Sequence, residues 1–345
     1  MKVNSGRDYK HLNQGDIPVY GTGGYMLSVD ESLSDEDAVG IGRKGTIDRP
    51  QFLKAPFWTV DTLFFMTPKP SNELRFLLAL SQGIEWAKLD ESTGVPSLSK
   101  VNIENVLKFV PNFYEQNAIG TFFQTLDSVV DATQRKVAGL KQLKAAYLQQ
   151  MFPQAGEKVP RVRFEGFTGN WETKKLYELA DVVMGQSPDS KNYTNNPNDH
   201  ILVQGNADMK NGRVIPRVRT TQVTKTANKG DLIISVRAPV GDVGKTDYDI
   251  VLGRGMAAVK GNEFIFQSLR SMKLFGYWER VSCGSTFESI ISRDLNDAEI
   301  PCPTPSEQEV IVVFLHNIDV QITTHSEKVE KLKQLKSAYL QKMFI

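Results

Sequence analysis

The sequence has no long apolar stretch and little cysteine. Its longest uninterrupted apolar run is Val310–Leu315, far short of the roughly 20 residues that a membrane-spanning helix needs. No basic stretch followed by an apolar core stands near the N-terminus, so we expect neither a membrane span nor a secretory signal. Cys283 and Cys302 are the only cysteines, which excludes a disulfide framework and is typical of a protein in a reducing cytoplasm.

Motifs of catalysis and metal binding are also missing. The four histidines lack metal-ligand spacing; they are His11, His200, His316 and His325. Gly244-Lys245-Thr246 is similar to the end of a phosphate-binding P-loop, but Pro239 stands where that motif needs its first glycine. There is no nucleophile elbow, and Asn196–Asp199 lacks the aromatic residue of an amino-methyltransferase motif. We therefore predict a protein without catalytic residues, metal or cofactor.

Charge is distributed unevenly along the chain, although the formal net charge is only +1. Residues 1–114 hold 12 basic against 14 acidic side chains, whereas residues 158–284 hold 19 against 13. The basic residues of the segment 208–237 are Lys210, Arg213, Arg217, Arg219, Lys225, Lys229 and Arg237. This cluster is either a phosphate-binding patch or a solvated strand face, and the sequence by itself favours neither.

The chain contains a long internal repeat. Leu140–Phe152 and Leu332–Phe344 are identical at 11 of 13 positions, at an offset of 192 residues. The same offset relates Glu115-Gln116 to Glu307-Gln308, Phe122 to Phe314, Asp127 to Asp319 and Lys136 to Lys328. A period of this length indicates a duplicated domain and not a solenoid of short repeats.

Each repeated tail predicts a helix of nearly forty residues, preceded by Pro111 in the first copy and by Pro305 in the second. Apolar residues recur every three or four positions along it. They are Ile119, Phe123, Leu126, Val130, Val137 and Leu140 in the first copy and Ile311, Leu315, Ile318, Ile322, Val329 and Leu332 in the second, with Thr133 and His325 in matching polar positions. Such a seam predicts that the two helices pair as a coiled coil, each spanning roughly 55 Å.

The segments before the helices differ from them in character. Residues 1–70 and 158–260 are rich in glycine, threonine, valine and short apolar runs, which predicts short strands joined by many turns. Each module is expected to end in a helix, near Ser71–Lys88 and Glu263–Val281. Gly21-Thr22-Gly23-Gly24 favours a turn, and the alternative is a backbone nest that binds phosphate. The predicted fold class is α+β, with two globular modules alternating with two long helices.

This duplicated order resembles the DNA-specificity subunits of type I restriction-modification systems. The motifs that carry the resemblance are Phe164–Trp171 with Glu172 at the start of a module, Ile233–Gly241 with its counterpart Val39–Ile47, the Ser92-Thr93 and Ser285-Thr286 turns, the helix entries Pro111–Gln116 and Pro303–Gln308, and the helix endings Leu140–Phe152 and Leu332–Phe344. Together, and twice in the same order, they cover essentially the whole chain.

The resemblance implies two target-recognition domains, at residues 1–110 and 154–302, and two conserved long helices, at 111–153 and 303–345. Each domain would read one half of a split site in double-stranded DNA. The helices would pair antiparallel in a pseudo-two-fold arrangement and set the distance between the half-sites. The implied protein partners are two methyltransferase subunits and motor-nuclease subunits, while the specificity subunit itself is not an enzyme.

The resemblance also directs attention to particular side chains. Arg43 and Arg237 stand at matching places after a strand and are the first DNA-contact candidates, because arginine reads guanine edges and binds phosphate; the alternative is a structural salt bridge. Further DNA-contact candidates are Gly23, Tyr25, Lys44, Gln204, Asn206, Lys210, Arg213, Arg217 and Arg219. Methyltransferase docking is expected at Leu140, Leu143, Tyr147, Phe152, Leu332, Leu335, Tyr339 and Phe344.

The first module is expected to lack its front. The second module reaches Ile201–Gly205 about forty residues after it begins near Val159, whereas the first reaches the counterpart Ile17–Gly21 after sixteen. No counterpart of Phe164–Pro188 is therefore expected. A natural or artificial truncation, an alternative start and a rearranged gene are the open explanations. The first module would then be incompletely folded or completed by another chain, and would contribute less to DNA recognition.

A protein-interaction scaffold is the second interpretation of the chain. In that case the helices would be the working surface and the modules would bind peptides or proteins without reading DNA. Steeply salt-dependent binding to one split duplex sequence favours the DNA-specificity subunit, whereas salt-insensitive or absent DNA binding favours the scaffold.

Overall fold

The computed structural model describes residues 1–282 and 288–344. The chain forms two compact units, one made of Met1–Lys136 with His325–Ile345 and the other of Val137–Thr324. Each unit contains one globular module together with a stretch of both long helices. The mixture of helices and sheets confirms the predicted α+β class. The predicted Ser285-Thr286 turn lies outside the described residues.

The strands are β1 (Lys2–Ser5), β2 (Gln14–Gly21), β3 (Gly24–Val29), β4 (Ala38–Gly42), β5 (Gln51–Leu53), β6 (Trp58–Thr59), β7 (Leu63–Thr67), β8 (Glu172–Lys175), β9 (Asp181–Met184), β10 (Tyr193–Thr194), β11 (His200–Val203), β12 (Met209–Lys210), β13 (Arg213–Val214), β14 (Val218–Thr220), β15 (Lys225–Ala227), β16 (Leu232–Ser235), β17 (Val243–Lys245), β18 (Ile250–Leu252), β19 (Met256–Lys260) and β20 (Glu299–Cys302). The helices are α1 (Leu74–Gln82), α2 (Lys100–Glu104), α3 (Phe113–Gln150), α4 (Leu176–Leu179), α5 (Glu263–Leu274), α6 (Tyr277–Val281), α7 (Ser292–Asn296) and α8 (Pro305–Met343). Short 3₁₀ turns lie at Trp86–Leu89, Ser190–Asn192 and Asn206–Asp208.

Two small sheets build the globular part of the first unit. One has the strand order β1-β7-β4-β5 and is antiparallel, and the other has the order β3-β2-β6. β4 and β7 are buried along their whole length, since their side chains pack between the sheets and the following helices. The Glu73 carboxylate caps α1 by accepting a hydrogen bond from the Phe76 backbone N–H at 2.6 Å. The helix predicted near Ser71–Lys88 is thereby confirmed as α1 and the 3₁₀ turn after it.

The second unit has two larger sheets and one sheet of only two strands. Their strand orders are β12-β13-β17-β16-β19-β9, β10-β14-β11-β18-β15 and β20-β8. The largest apolar cluster of this unit joins the sheet residue Ile234 to Phe264 on α5 and to Leu315 on α8. Asn262 caps α5 by accepting from the Ile265 N–H at 3.0 Å, and α5 with α6 confirms the helix predicted near Glu263–Val281.

Strand pairing shows how the two modules correspond. The order β1-β7-β4 of the first sheet is repeated as β9-β19-β16. Val39 lies opposite Met66, and Leu232 lies opposite Val259. Val39 and Leu232 are therefore equivalent positions, and so are Met66 and Val259. The members of each equivalent pair are 193 residues apart in the sequence. The predicted match of Val39–Ile47 with Ile233–Gly241 is therefore wrong by one residue.

The same one-residue correction applies to the leading DNA-contact candidates. Lys44, and not Arg43, is the counterpart of Arg237. Lys44 forms an isolated bridge with Ser97, and Arg237 forms the matching bridge with Ser289. The sequence comparison missed this register because the two strand-to-loop segments share few identical residues and place their basic residues one position apart.

The expected gap at the front of the first module also needs a correction. β1 pairs with β7 as β9 pairs with β19, so Asp181–Met184 has its counterpart in Lys2–Ser5, and the expectation that Phe164–Pro188 has no counterpart is wrong for its C-terminal part. In the second unit, β8 pairs with β20 and precedes α4. Among the described residues of the first unit, none takes the place of β8, and residues 107–110, the counterpart of β20, form no strand.

The two long helices confirm the predicted lengths, with 38 residues in α3 and 39 in α8. α8 begins at Pro305 itself, where a proline is tolerated because the first N–H of a helix has no intrahelical acceptor. Most residues of the two predicted seams are buried: Phe123, Leu126, Val130, Ile311, Leu315, Ile318 and Val329. Among the described residues, no helix is long and apolar enough to cross a membrane.

Candidate nucleic-acid interface and helical docking surface

Three loops of the second unit meet at the ends of buried strands. They are residues 204–206 after β11, 236–239 after β16 and 253–255 between β18 and β19. The apolar sequences of β11, β16 and β18 bury these strands and leave the loops at the surface. The Val236 N–H donates to the Gly255 carbonyl at 2.9 Å, and the Asn206 amide donates to the Pro239 carbonyl at 3.0 Å. These bonds hold the three loops together.

Two glycines bring Arg254 against Gln204. A Cβ atom at Gly253 would lie 2.9 Å from the Gln204 Cα, and one at Gly255 would lie 2.2 Å from the Gln204 carbonyl oxygen. Only glycine permits this close approach. Arg254 itself is exposed, so the turn presents an arginine beside an amide side chain. Arginine and glutamine are side chains that read base edges and bind phosphate.

The structure separates the predicted basic residues into two groups. In the described part of the chain, the side chains of Lys210 and Arg237 have no hydrogen-bond or ion-pair partner, and both are exposed. The arginines of the other group have local partners: Arg213 pairs with Asp247 at 2.9 Å, Arg217 donates to the Ala207 carbonyl at 2.6 Å, and Arg219 donates to the Asp199 carbonyl at 2.7 Å. The first group is available to a ligand, whereas the second would first have to leave an internal contact.

The two predicted amide residues are placed differently. Asn206 donates to Pro239 and, at 2.7 Å, to the Asp242 carboxylate, so its side chain holds the loops in position. Gln204 is half-buried beside Gly253 and Gly255. Sequence reasoning missed Arg254, although Gly253-Arg254-Gly255 between two apolar runs is a signal of an arginine on a tight turn.

The first unit carries a different set of residues at the corresponding loops. The Arg43 N–H donates to the Thr62 carbonyl at 2.8 Å, which matches the Val236–Gly255 bond of the second unit. Asp61 therefore stands where the second unit has Arg254. The Arg43 guanidinium lies 5.8 Å from the centre of the Phe64 ring, and Lys44 is exposed. The acidic side chain at the turn makes this unit less attractive to phosphate.

The glycine cluster of the first unit forms a tight hairpin turn between β2 and β3, as expected. Gly24 has a φ of +107°, a conformation that favours glycine. Gly23 lies at the open tip of the turn, and Tyr25 is largely exposed. A groove of about 590 Å³ lies beside them, lined in part by Lys10 and Asp61.

Within each unit, the stretches of α3 and α8 run antiparallel, and the contacts repeat. In the second unit, Lys144 donates to Asp319 and the Tyr147 ring lies 4.7 Å from the Phe314 ring. The equivalent contacts of the first unit are Lys336 with Asp127 at 2.6 Å and Tyr339 with Phe122 at 5.1 Å. Antiparallel pairing of the two helices is thus observed separately in each unit.

Burial shapes the ionisation of the charged pair in the second unit. It lowers the pKa of Lys144 to about 8, and repulsion by Arg270 acts in the same direction. Burial by itself would raise the pKa of Asp319, but Lys144 and Arg270 outweigh it and the pKa is lowered. Asp319 therefore stays ionised and holds both cations in the helix interface.

The eight predicted docking residues are not equally accessible. Phe152 is only 3% exposed and packs against Trp171 and Phe264. Leu140, Tyr147, Leu332 and Phe344 are half-buried. Leu143 and Leu335, which are equivalent positions 192 residues apart, are each 45% exposed, and Tyr339 is 37% exposed. The two leucines are therefore equally accessible on the two copies of the repeat.

The weak catalytic signals of the sequence have structural explanations. Gly244-Lys245-Thr246 lies at the end of β17, where Lys245 pairs with Glu263. Among residues 1–282 and 288–344 there is no cluster of histidine, cysteine, aspartate and glutamate that could hold a metal ion.

Comparison with known proteins assigns the family. The family model of the type I restriction modification DNA specificity domain matches residues 2–142 and 168–334. The chain belongs to this family. The two matched regions follow the two copies of the internal repeat, and the resemblance noted in the sequence is thereby confirmed.

Relatives of the DNA specificity domain family in Methanocaldococcus jannaschii match parts of the chain. One, named provisionally as the MjaX specificity subunit of a type I restriction enzyme, is 26% identical over 251 residues, which cover 70% of this chain and 59% of the relative. The MjaIX specificity subunit is 24% identical over 193 residues, covering 51% of this chain and 44% of the relative. The chain thus spans about half the length of these relatives.

Solved structures share the fold. An S subunit of a type I restriction-modification system from M. genitalium superposes with a TM-score of 0.70 at 13% identity, covering 100% of this chain and 93% of that one. A chain from a study of complex assembly and conformational transition of the type I system gives a TM-score of 0.59 at 21% identity, covering 98% and 93%. The arrangement of two globular modules with two long helices is therefore the fold of that family.

Proposed function

We propose that the chain is the non-catalytic DNA-specificity subunit of a type I restriction-modification system. Each module would read one half of a split site in double-stranded DNA, and the paired helices would set the spacing. The observation that carries the proposal is the family match over both copies of the repeat. The exposed side chains of Arg237 and Arg254 support it. Arg254 lies on a turn packed against Gln204, and an arginine next to an amide side chain is suited to both phosphate and base contacts.

The two modules would contribute unequally to DNA binding. In the second module, Lys210, Arg237 and Arg254 present free positive charge, and the segment 158–284 is basic overall. In the first module, the negative charge of Asp61 at the neighbouring turn opposes the positive charge of Lys44. Phosphate contacts dominate affinity, so the second module would supply most of the binding energy and the first module mostly sequence selection.

The helix ends would bind the protein partners. Two methyltransferase subunits would dock on the repeated exposed leucines, Leu143 and Leu335, one on each copy of the repeat. Motor-nuclease subunits would join the methyltransferase subunits to give the restricting complex. Such an assembly acts on chromosomal DNA, so we place it in the cytoplasm.

Selection of bound duplexes from a random pool tests this function. The chain, alone and with its methyltransferase subunits, would be incubated with random duplexes, and bound DNA would be sequenced at several salt concentrations. We expect enrichment of a split motif and binding that falls steeply with salt. Absent or salt-insensitive binding, with methyltransferase docking retained, would support the protein-interaction scaffold instead.

A further inference from the structure

The turn between β6 and β7 of the first unit has the same backbone hydrogen bonds as the turn that carries Arg254. The Val60 N–H donates to the Tyr20 carbonyl at 3.1 Å, and the Leu63 N–H donates to the Val60 carbonyl at 3.0 Å. The corresponding bonds of the turn between β18 and β19 are 2.7 and 3.0 Å long. Asp61 and Arg254 therefore extend from equivalent positions of two equally bonded turns.

The backbone on both sides of Asp61 is held in place. On one side, a Cβ atom at Gly6 would lie only 1.9 Å from the Val60 carbonyl oxygen, so the end of β1 packs against the turn as only glycine permits. On the other side, the Thr62 carbonyl accepts from the Arg43 N–H at 2.8 Å. A side chain on a fixed backbone is suited to selection, because little conformational freedom is lost when it binds.

The carboxylate of Asp61 is free to meet a ligand. It is exposed, and in the described part of the chain it has no hydrogen-bond or ion-pair partner. It lines the groove of about 590 Å³ together with Lys10. Gly21 stands where the second unit has Gln204, so no amide side chain occupies the place beside the carboxylate.

The chemistry of a carboxylate limits what Asp61 can contact on DNA. An ionised carboxylate only accepts hydrogen bonds, and phosphates repel it. In the major groove, the donors of base pairs are the amino groups at cytosine N4 and adenine N6. Beside the adenine amino group lies the acceptor N7, which repels the second carboxylate oxygen, whereas cytosine has only a C–H group there. Cytosine is therefore the base that a carboxylate fits best.

We propose that Asp61 selects a cytosine in the half-site of the first module by accepting a hydrogen bond from its N4 amino group. The proposal rests on the proposed function in DNA recognition and adds to it the base that one side chain reads. Lys10 is exposed in the same groove and, among the described residues, its ammonium group has no partner. It supplies the positive charge that a phosphate beside this base requires.

Selection from a random duplex pool by the full chain with its methyltransferase subunits locates the base. Arg254→Ala should weaken the sequence preference in the half-site of the second module, and the other half-site then belongs to the first module. We expect one position of that half-site to prefer cytosine by about tenfold, a usual effect of a single mismatched base pair.

Variants of Asp61 should change this one position. Asp61→Asn should admit adenine, because an amide reads adenine N6 and N7, and Asp61→Arg should change the preference to guanine. Asp16→Arg is the control, since it makes the same charge change at an exposed residue near the opposite end of β2, and it should leave the motif unchanged. Competition among four duplexes that differ only at this position gives the ratios of Kd, which separate base preference from general attraction to DNA.

The outcomes distinguish this proposal from the function on which it rests. A split motif that no variant of Asp61 changes at any position would overturn the assignment and leave the proposed function intact. The assignment would also fail if the affected base were adenine, or if the variants changed affinity for all four duplexes equally. The same holds if Asp16→Arg changed the same position. Absence of a split motif with the unaltered chain would overturn both.

Discussion

The ammonium group of Lys144 on α3 donates a hydrogen bond to the carboxylate of Asp319 on α8, and the Lys144 side chain is almost completely buried there. The internal repeat produces the same contact a second time, between Lys336 and Asp127. The reciprocal pairs define an antiparallel register, because each copy of the helix supplies the lysine near its end and the aspartate near its middle.

The two equivalent ion pairs should differ in their contribution to stability. Asp319→Asn leaves Lys144 buried without its carboxylate, so it should lower the free energy of unfolding of the second unit by about 3 kcal/mol. Asp127→Asn is the matched variant of the first unit. Its partner Lys336 is more exposed, and the loss should be about 1 kcal/mol. Urea denaturation of both variants measures the difference, and equal losses would contradict the account.

The unfolding free energy should depend on pH through Lys144. Its pKa is about 8 in the folded chain, below the ordinary value of 10.5, chiefly because of burial. The unfolded chain therefore binds more protons between these two values, and stability rises with pH in that window. The stability of the unaltered chain relative to Lys144→Met should increase from pH 8 to 10.5 in urea melts. A constant difference would show that Lys144 keeps an ordinary pKa.

Free arginines of the second unit should control DNA affinity. Arg237→Ala or Arg254→Ala should each weaken duplex binding by about tenfold. Each should also lower the slope of the logarithm of the binding constant against the logarithm of the salt concentration by about one unit. Arg293→Ala is the control, since Arg293 is exposed in the same unit but pairs with Asp297 at 3.4 Å. Titrations at several salt concentrations would show the effect. A control that weakened binding equally would mean that only total charge matters.

The acidic turn of the first unit offers the opposite experiment. Asp61 occupies the place of Arg254, so Asp61→Arg should strengthen duplex binding and increase its salt dependence. Asp61→Asn removes the charge without adding one and should have a smaller effect in the same direction. Unchanged affinity in both variants would indicate that this turn does not face DNA.

Docking of methyltransferase subunits should depend on the repeated leucines. The double variant Leu143→Asp with Leu335→Asp should abolish association with the methyltransferase subunit in gel filtration while leaving duplex binding by the chain intact. Val129→Asp is the matched control, because Val129 is similarly exposed on α3 but its repeat counterpart, Gln321, is polar. Retained association of the double variant would place the docking surface elsewhere.

Sequence and structure agree best where the repeat is strongest. The helices and their seam could be predicted because Phe123, Leu126 and Val130 follow a helical period. The contact of Lys144 with Asp319 could not, because pairing across helices depends on a register that periodicity leaves open. In the modules, the predicted match of Arg43 with Arg237 was wrong by one residue, because short strands of low sequence identity do not determine the register. The position of Arg254 could not be predicted, because it depends on contacts of Gly253 and Gly255 with Gln204, a residue that is remote from them in the sequence.

Methylome sequencing of cells that carry this chain with its methyltransferase subunit tests the central claim most directly. The account predicts a methylated motif in two parts separated by a fixed spacer. Arg237→Ala should weaken the sequence preference in the part that the second module reads. Exchange of the second module for that of a relative should change that part only. Methylation without a split motif, or a motif unaffected by these changes, would contradict the proposed role in DNA recognition.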